Sequence, residues 1–217
     1  MGTTEDIATI PQTETKPITR MYRGDGKNVI LAITGTSGAI YGLRMLRTLI
    51  VNDFNIDLIL TEYANYTLFR ECGVELKHNT IQSTFPEIMI HKAQIKFHNN
   101  LDIKSEIFLE TYNVFGMIVS PCSTDYLSGI ANGSSRNLIE KAADWILSNN
   151  KPLVLVPRET PVNKIYIKNM LSVLEAGGFV VPAMPAYDNS PKDFNDLGDY
   201  IAEKTMSVLM RGETLSI

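Results

Sequence analysis

The residues with the most chemistry to offer stand in a glycine, serine and threonine turn, Thr34-Gly35-Thr36-Ser37-Gly38, and in the dipeptide Arg158-Glu159. The turn follows an apolar, β-branched run (Val29 to Ile33). It precedes apolar residues at helical spacing, Ile40, Leu43, Leu46, Leu49 and Ile50. A strand, a turn and a helix in that order present backbone N–H groups and hydroxyls at the positive end of a helix dipole, which suits a phosphate. Glycine lets the backbone approach closely, while Thr36 and Ser37 can cap the helix or donate to phosphate oxygens. The spacing is not G-x-G-x-x-G and there is no Walker lysine, so neither usual nucleotide fingerprint applies. A capped turn without a ligand has the same composition, and the residues downstream must decide between the two.

Strands and helices must alternate to position these groups. Ile56 to Thr61 reads as a second strand and Glu62 to Glu71 as a helix. Val114 to Ser120 is the next strand, Asn137 to Leu147 carries helical periodicity, and Pro152 to Val156 is a buried strand. Asn163 to Glu175 is helical, Gly178 to Val181 is a short strand, and Asp193 to Met210 is a closing helix. Residues 73 to 113 mix short apolar runs with His91, His98, Asn99 and Asn100 and resist assignment. Such alternation implies a three-layer αβα, Rossmann-like (flavodoxin-like), doubly wound parallel sheet in a single domain.

Ligands of such sheets bind beyond the carboxyl ends of the strands. The residues there are Gly35, Thr36 and Ser37, then Thr61, then Ser123 and Thr124, then Arg158 and Glu159, and last the segment from Pro182 to Asp188. This edge is rich in hydroxyls, with neither a Ser/His/Asp or Cys/His triad nor a cluster of metal ligands. The three histidines, His78, His91 and His98, all fall in the unassigned segment and read as surface or structural groups.

Composition narrows the class. The 217 residues suit one domain with a full core. A net charge of −4, with only 20 basic residues, argues against nucleic acid as a partner. Cys72 and Cys122 form neither a zinc spacing nor a disulfide framework, which points to a reducing compartment. Residues 1–27 are polar and lack the apolar core of a secretory signal, so they read as a flexible leader before a domain at 28–210 and a tail at 211–217. No stretch approaches the roughly 20 apolar residues of a membrane span. A cytoplasmic protein is expected.

Five segments in order resemble the UbiX-type flavin prenyltransferases. They are Thr-Gly-Thr-Ser-Gly-Ala-Ile-Tyr-Gly (34–42), Pro-Cys-Ser-Thr (121–124), Asn-Leu-Ile-Glu-Lys-Ala-Ala-Asp (137–144), Pro-Leu-Val-Leu-Val-Pro-Arg-Glu-Thr-Pro (152–161) and Lys-Asn-Met-Leu (168–171). The resemblance implies FMN bound at subunit interfaces, a trimer-based homododecamer and no metal. It also implies transfer of a dimethylallyl group from dimethylallyl phosphate to N5 and C6 of reduced FMN, giving prenylated FMN for a partner decarboxylase. Matched position by position, Gly35, Thr36, Ser37, Thr61, Ser123, Thr124, Asp125, Tyr126 and Arg158 would bind the cofactor. Glu71, Glu159 and Ser37 would be catalytic, the two acids handling protons. Lys141, Arg158, Lys204 and Asp188 would face the substrate phosphate.

The chain departs from the family's pattern at that phosphate. Ser148 stands in place of a lysine, Asp188 in place of a tyrosine, and Lys141 and Lys204 in place of arginines. Arg to Lys loses the bidentate fork, and the other two changes remove a positive charge or add a negative one. The Ser-Gly-Ser turn and the C-terminal tryptophan are also missing, the only tryptophan being Trp145. Prenyl transfer remains the reaction that the resemblance implies best. An FMN-dependent oxidoreductase or decarboxylase of the same type, and a non-catalytic flavin-binding protein, stand as alternatives.

Overall fold

The computed structural model describes residues 22–91, 93–109, 111–188 and 190–212. Its centre is a sheet of six parallel strands: β1 (Asn28–Ile33), β2 (Asn55–Leu60), β3 (Ile95–Asn99), β4 (Val114–Cys122), β5 (Leu153–Pro157) and β6 (Phe179–Val180). They lie in the order β3-β2-β1-β4-β5-β6, each paired in parallel with its neighbours. The chain winds outward from β1 in one direction and, after β3, returns beside β1 to wind in the other. The join of β1 and β4 is thus the topological switch point, where a ligand crevice is expected.

Burial on both faces explains the apolar strand sequences. Val29 to Ile33 of β1 are fully buried, as are Leu153 to Val156 of β5. Helices α1 (Ala39–Val51) and α8 (Phe194–Gly212) cover one face. Helices α5 (Thr124–Ala131), α6 (Leu138–Ser148) and α7 (Lys164–Glu175) cover the other. Helix α2 (Glu62–Cys72) packs on α1. A bidentate pair ties α1 to α8: Arg44 donates from Nε to Asp199 at 2.5 Å and from a terminal nitrogen at 2.6 Å, with the arginine almost wholly buried.

The unassigned segment holds β3, two one-turn helices, α3 (Ile81–Thr84) and α4 (Ile88–His91), and a 3-10 turn at Glu106–Phe108. β3 is an edge strand whose sequence, Ile-Lys-Phe-His-Asn, alternates and never becomes an apolar run. The histidines are structural. His98 Nε2 lies 2.7 Å from the buried Asp57, which also accepts the Tyr112 hydroxyl at 2.7 Å, and Ser105 Oγ is 3.2 Å from His98 Nδ1. His91 pairs with Asp53 at 3.1 Å, and the His78 ring sits 5.3 Å from that of Phe97.

Residues 22–27, read above as the end of a leader, run against the turn between α1 and β2. The amides of Tyr22 and Gly24 donate to the Asn52 side chain and carbonyl at 2.8 and 2.6 Å, and Gly26 donates to the Asp53 carbonyl. The rest of that leader lies outside the described residues. Cys72 and Cys122 are buried free thiols. Burial pushes the Cys72 thiol up to about 12, and it raises that of Cys122 as well. Among the described residues no helix is long and apolar enough to cross a membrane.

Candidate functional site

Thr34, the residue after β1, closes the switch point. Its hydroxyl donates to the Pro121 carbonyl at 2.8 Å and accepts the Ser123 amide at 2.8 Å, so the ends of β1 and β4 are joined through one buried side chain. Gly35 follows, where a Cβ would overlap Tyr63 Cβ and come within 2.7 Å of the Tyr63 carbonyl carbon. Only glycine lets the first turn lie directly against the start of α2.

The helix start beyond this turn is not open. Gly38 adopts the left-handed region (φ 97°) as N-cap of α1. The amides of Gly38 and Ala39 both donate to one oxygen of Glu71, each at 2.8 Å. Two N–H groups expected to meet a phosphate therefore hold the chain's own carboxylate, which satisfies the dipole in the same way. Ser37 is exposed beside them and Thr36 is half-buried, its amide donating to the Thr34 carbonyl. Arg158 reaches the same turn from the end of β5, its Cγ 3.6 Å from where a Cβ on Gly38 would lie. Burial raises the Tyr41 phenol next to it, the Arg158 charge pulling the other way. Glu159 is exposed and accepts the Thr160 amide at 2.9 Å.

Two further helix starts flank the switch point. Thr61 is the N-cap of α2, and its hydroxyl oxygen accepts the Ala64 amide at 3.2 Å. Ser123 is the N-cap of α5, with its hydroxyl donated to Asp125, so Ser123 to Tyr126 form the opening of a helix. Between these starts lies a crevice of about 530 Å³, within the ordinary size of a cofactor site. Gly35, Thr61, Ser123, Asp125 and Tyr126, all expected at the cofactor, line it.

Sequence reasoning missed other residues of the wall, among them Tyr63 and Asn65 of α2, Asn99 at the end of β3 and Asn100 after it. The adjacent asparagines closing an alternating stretch were the available signal. Asn65 Oδ1 is sealed from solvent with no hydrogen-bond partner among the described residues. A buried acceptor left unpaired costs roughly 1 to 3 kcal/mol, and the end of the Asn65 amide open to the crevice is the NH2 donor.

The residues expected at a substrate phosphate do not gather around Arg158 within one protomer. Lys141 extends along α6 to the Ile103 carbonyl at 2.7 Å and over the Phe108 ring. Lys204 lies over Tyr200 and lines a separate cavity of about 490 Å³ between β6 and α8, together with Arg211. Asp188 is exposed in the segment after β6. Ser148 ends α6 and leads into the start of β5, at the edge opposite the crevice. Trp145 packs near Phe108 on the α6 side. No group of three or more His, Cys, Asp or Glu side chains is arranged to hold a metal among the described residues.

Comparison with known proteins agrees with this fold. The Flavoprotein family model matches residues 18–206. The flavin prenyltransferase UbiX of Halalkalibacterium halodurans is 38% identical over 185 residues, which span 82% of this chain and 86% of that protein. The crystal structure of AnUbiX in complex with FMN and dimethylallyl pyrophosphate superposes with a TM-score of 0.75, at 28% identity over 85% of this chain and 93% of that one. A dodecameric FMN-dependent UbiX-like decarboxylase from Escherichia coli gives a TM-score of 0.73 at 30% identity, covering 83% of this chain and 93% of its own. With the family model matching residues 18–206 and 38% identity to a flavin prenyltransferase UbiX over 82% of the chain, this protein belongs to the Flavoprotein family and, within it, to the UbiX flavin prenyltransferases.

Proposed function

We propose that the chain binds FMN in the crevice at the β1–β4 switch point and transfers a dimethylallyl group from dimethylallyl phosphate to the reduced flavin. The observation that carries this reading is the crevice wall, where Gly35, Thr61, Ser123, Asp125 and Tyr126 meet at the switch point. Reduced FMN supplies the nucleophilic ring positions to which the C5 unit becomes attached. The protein's part is to bind, orient and manage charge. Thr61 already accepts from Ala64 and keeps its own hydroxyl proton for a ligand oxygen, at the positive end of α2, so it suits the flavin phosphate. The Asn65 NH2 suits a ring carbonyl. Arg158, the cation beside the first turn, would stabilise the departing phosphate, and Glu71 and Glu159 would take and return protons.

The scatter of Lys141, Lys204 and Asp188 favours a sub-site completed by neighbouring copies. Helix α7 has the surface for self-association: it buries only Val173 and leaves Ile165, Ile167, Leu171 and Leu174 about half exposed or more. A homo-oligomer with FMN at its interfaces, handing its product to a decarboxylase, is the assembly this reading implies. The test is mass spectrometry of the flavin released after anaerobic incubation with reduced FMN and dimethylallyl phosphate. A gain of one C5H8 unit is expected. Unmodified flavin retained by the protein would make the chain a flavin-binding member without prenyl transfer.

A further inference from the structure

Asn100 follows β3 at the crevice wall and makes three hydrogen bonds that together set a direction. Its carbonyl accepts the Leu138 amide at 2.8 Å, and its Oδ1 accepts the Ile139 amide at 3.2 Å. Asn137 serves the next two amides of α6, its side chain accepting from Glu140 and its carbonyl from Lys141. The four leading N–H groups of that helix are thereby paired, and Asn100 is bolted to its start at two points. A backbone N–H can only donate, so the Ile139 contact settles which end of the Asn100 amide carries oxygen. Nδ2 is then the group facing Tyr126, and it donates to the phenolic oxygen at 2.8 Å.

The chain of polarity ends in the crevice. An amide NH2 can only donate, so the Tyr126 oxygen accepts and its own proton is left for another partner. We propose that Asn100 is a positioning residue that fixes Tyr126 as a hydrogen-bond donor to an acceptor oxygen of the bound flavin, a ring carbonyl or the phosphate. This rests on the flavin occupying the crevice that both residues line. Burial raises the Tyr126 phenol, the bond from Asn100 opposing it, so the donor proton stays in place at neutral pH. The same residue thus joins β3, α6 and the ligand wall.

Asn100→Asp tests this directly. A carboxylate at this position still accepts from the α6 amides, a favourable arrangement at a helix start. Its other oxygen can only accept, and so draws the Tyr126 proton away from the crevice. FMN affinity is expected to fall about tenfold in Asn100→Asp and equally in Tyr126→Phe, with the double variant no weaker than either, the value of one hydrogen bond. The Asn100→Asp melting temperature should not fall. A parallel riboflavin titration separates the acceptors: equal losses for both flavins assign a ring carbonyl, and a loss for FMN alone assigns the phosphate. A flavin-free readout follows the Tyr126 Cζ signal by NMR, where Asn100→Asp should titrate about one unit or more higher than wild type, Asp125, Glu140 and Arg136 remaining as before. Wild-type FMN affinity in Tyr126→Phe, or an unshifted Tyr126 titration in Asn100→Asp, would overturn the proposal. Failure of the wild-type protein to bind FMN would instead overturn the assignment of the crevice, and the titration would still decide the polarity.

Discussion

The first two strands each deliver the chain to a helix at the same sheet edge, and the two helix starts are finished in opposite ways. At α1 the N-cap is Gly38, and the Glu71 carboxylate from the last turn of α2 takes the Gly38 and Ala39 amides. At α2 the N-cap is Thr61, whose hydroxyl accepts one amide and keeps its proton. The difference teaches that a Gly/Ser/Thr turn before a helix is not by itself an open anion site. The first seat is held by the protein's own charge, and our proposal therefore puts the ligand's phosphate at the second.

The largest effect should come from destroying the contact between the two starts. Gly35→Ala places a methyl group on Tyr63 and forces them apart. The protein should lose about 2 to 3 kcal/mol of stability and purify without flavin, as read by thermal unfolding and visible absorbance.

Glu140 offers a contrast with Glu71, being a buried carboxylate that serves only internal partners. Burial pushes its carboxyl up, but the side-chain and backbone hydrogen bonds of Arg136, with that of Asn137, outweigh this and hold it below the usual range. Its contribution is present above the unfolded value of about 4.3 and is lost as pH falls through the lower folded value. Glu140→Gln should cost about 1 to 3 kcal/mol at neutral pH and show a shallower acid limb in urea unfolding, with or without FMN.

Glu71→Gln sharpens the comparison itself. It keeps an acceptor at α1 but removes the charge, for about 0.5 to 1 kcal/mol of stability. FMN affinity should change by less than about twofold, because the phosphate sits elsewhere, while prenyl transfer slows. A several-fold gain in FMN affinity would mean that Glu71 and the phosphate compete for one seat. The smallest effect is expected at the second ligand. Ser148→Lys with Asp188→Tyr adds one positive charge and removes one negative charge, and should tighten dimethylallyl phosphate by about twofold or less in calorimetry. Unchanged binding would mean that the phosphate pocket differs at other positions.

The doubly wound sheet was legible because its inner strands are buried on both faces and appear as unbroken apolar runs, as in Val29 to Ile33 and Leu153 to Val156. β3 escaped because an edge strand alternates, and α5 escaped because eight residues leave little room for periodicity. Gly35, Thr61 and Ser123 were found as residues just past strand ends. Asn65, Asn99 and Asn100 were not, since polar side chains in mixed segments announce a site only when their hydrogen bonds are known. The same reason hid Glu71's attachment to α1, which joins residues more than thirty positions apart.

The position of the phosphate in a crystal structure of the FMN complex tests the contrast between the two helix starts most directly. The expected result is a phosphate within hydrogen-bond reach of Thr61 Oγ1 and the first-turn amides of α2, with Glu71 still bound to Gly38 and Ala39. A phosphate seated on those two amides, with Glu71 displaced, would contradict it.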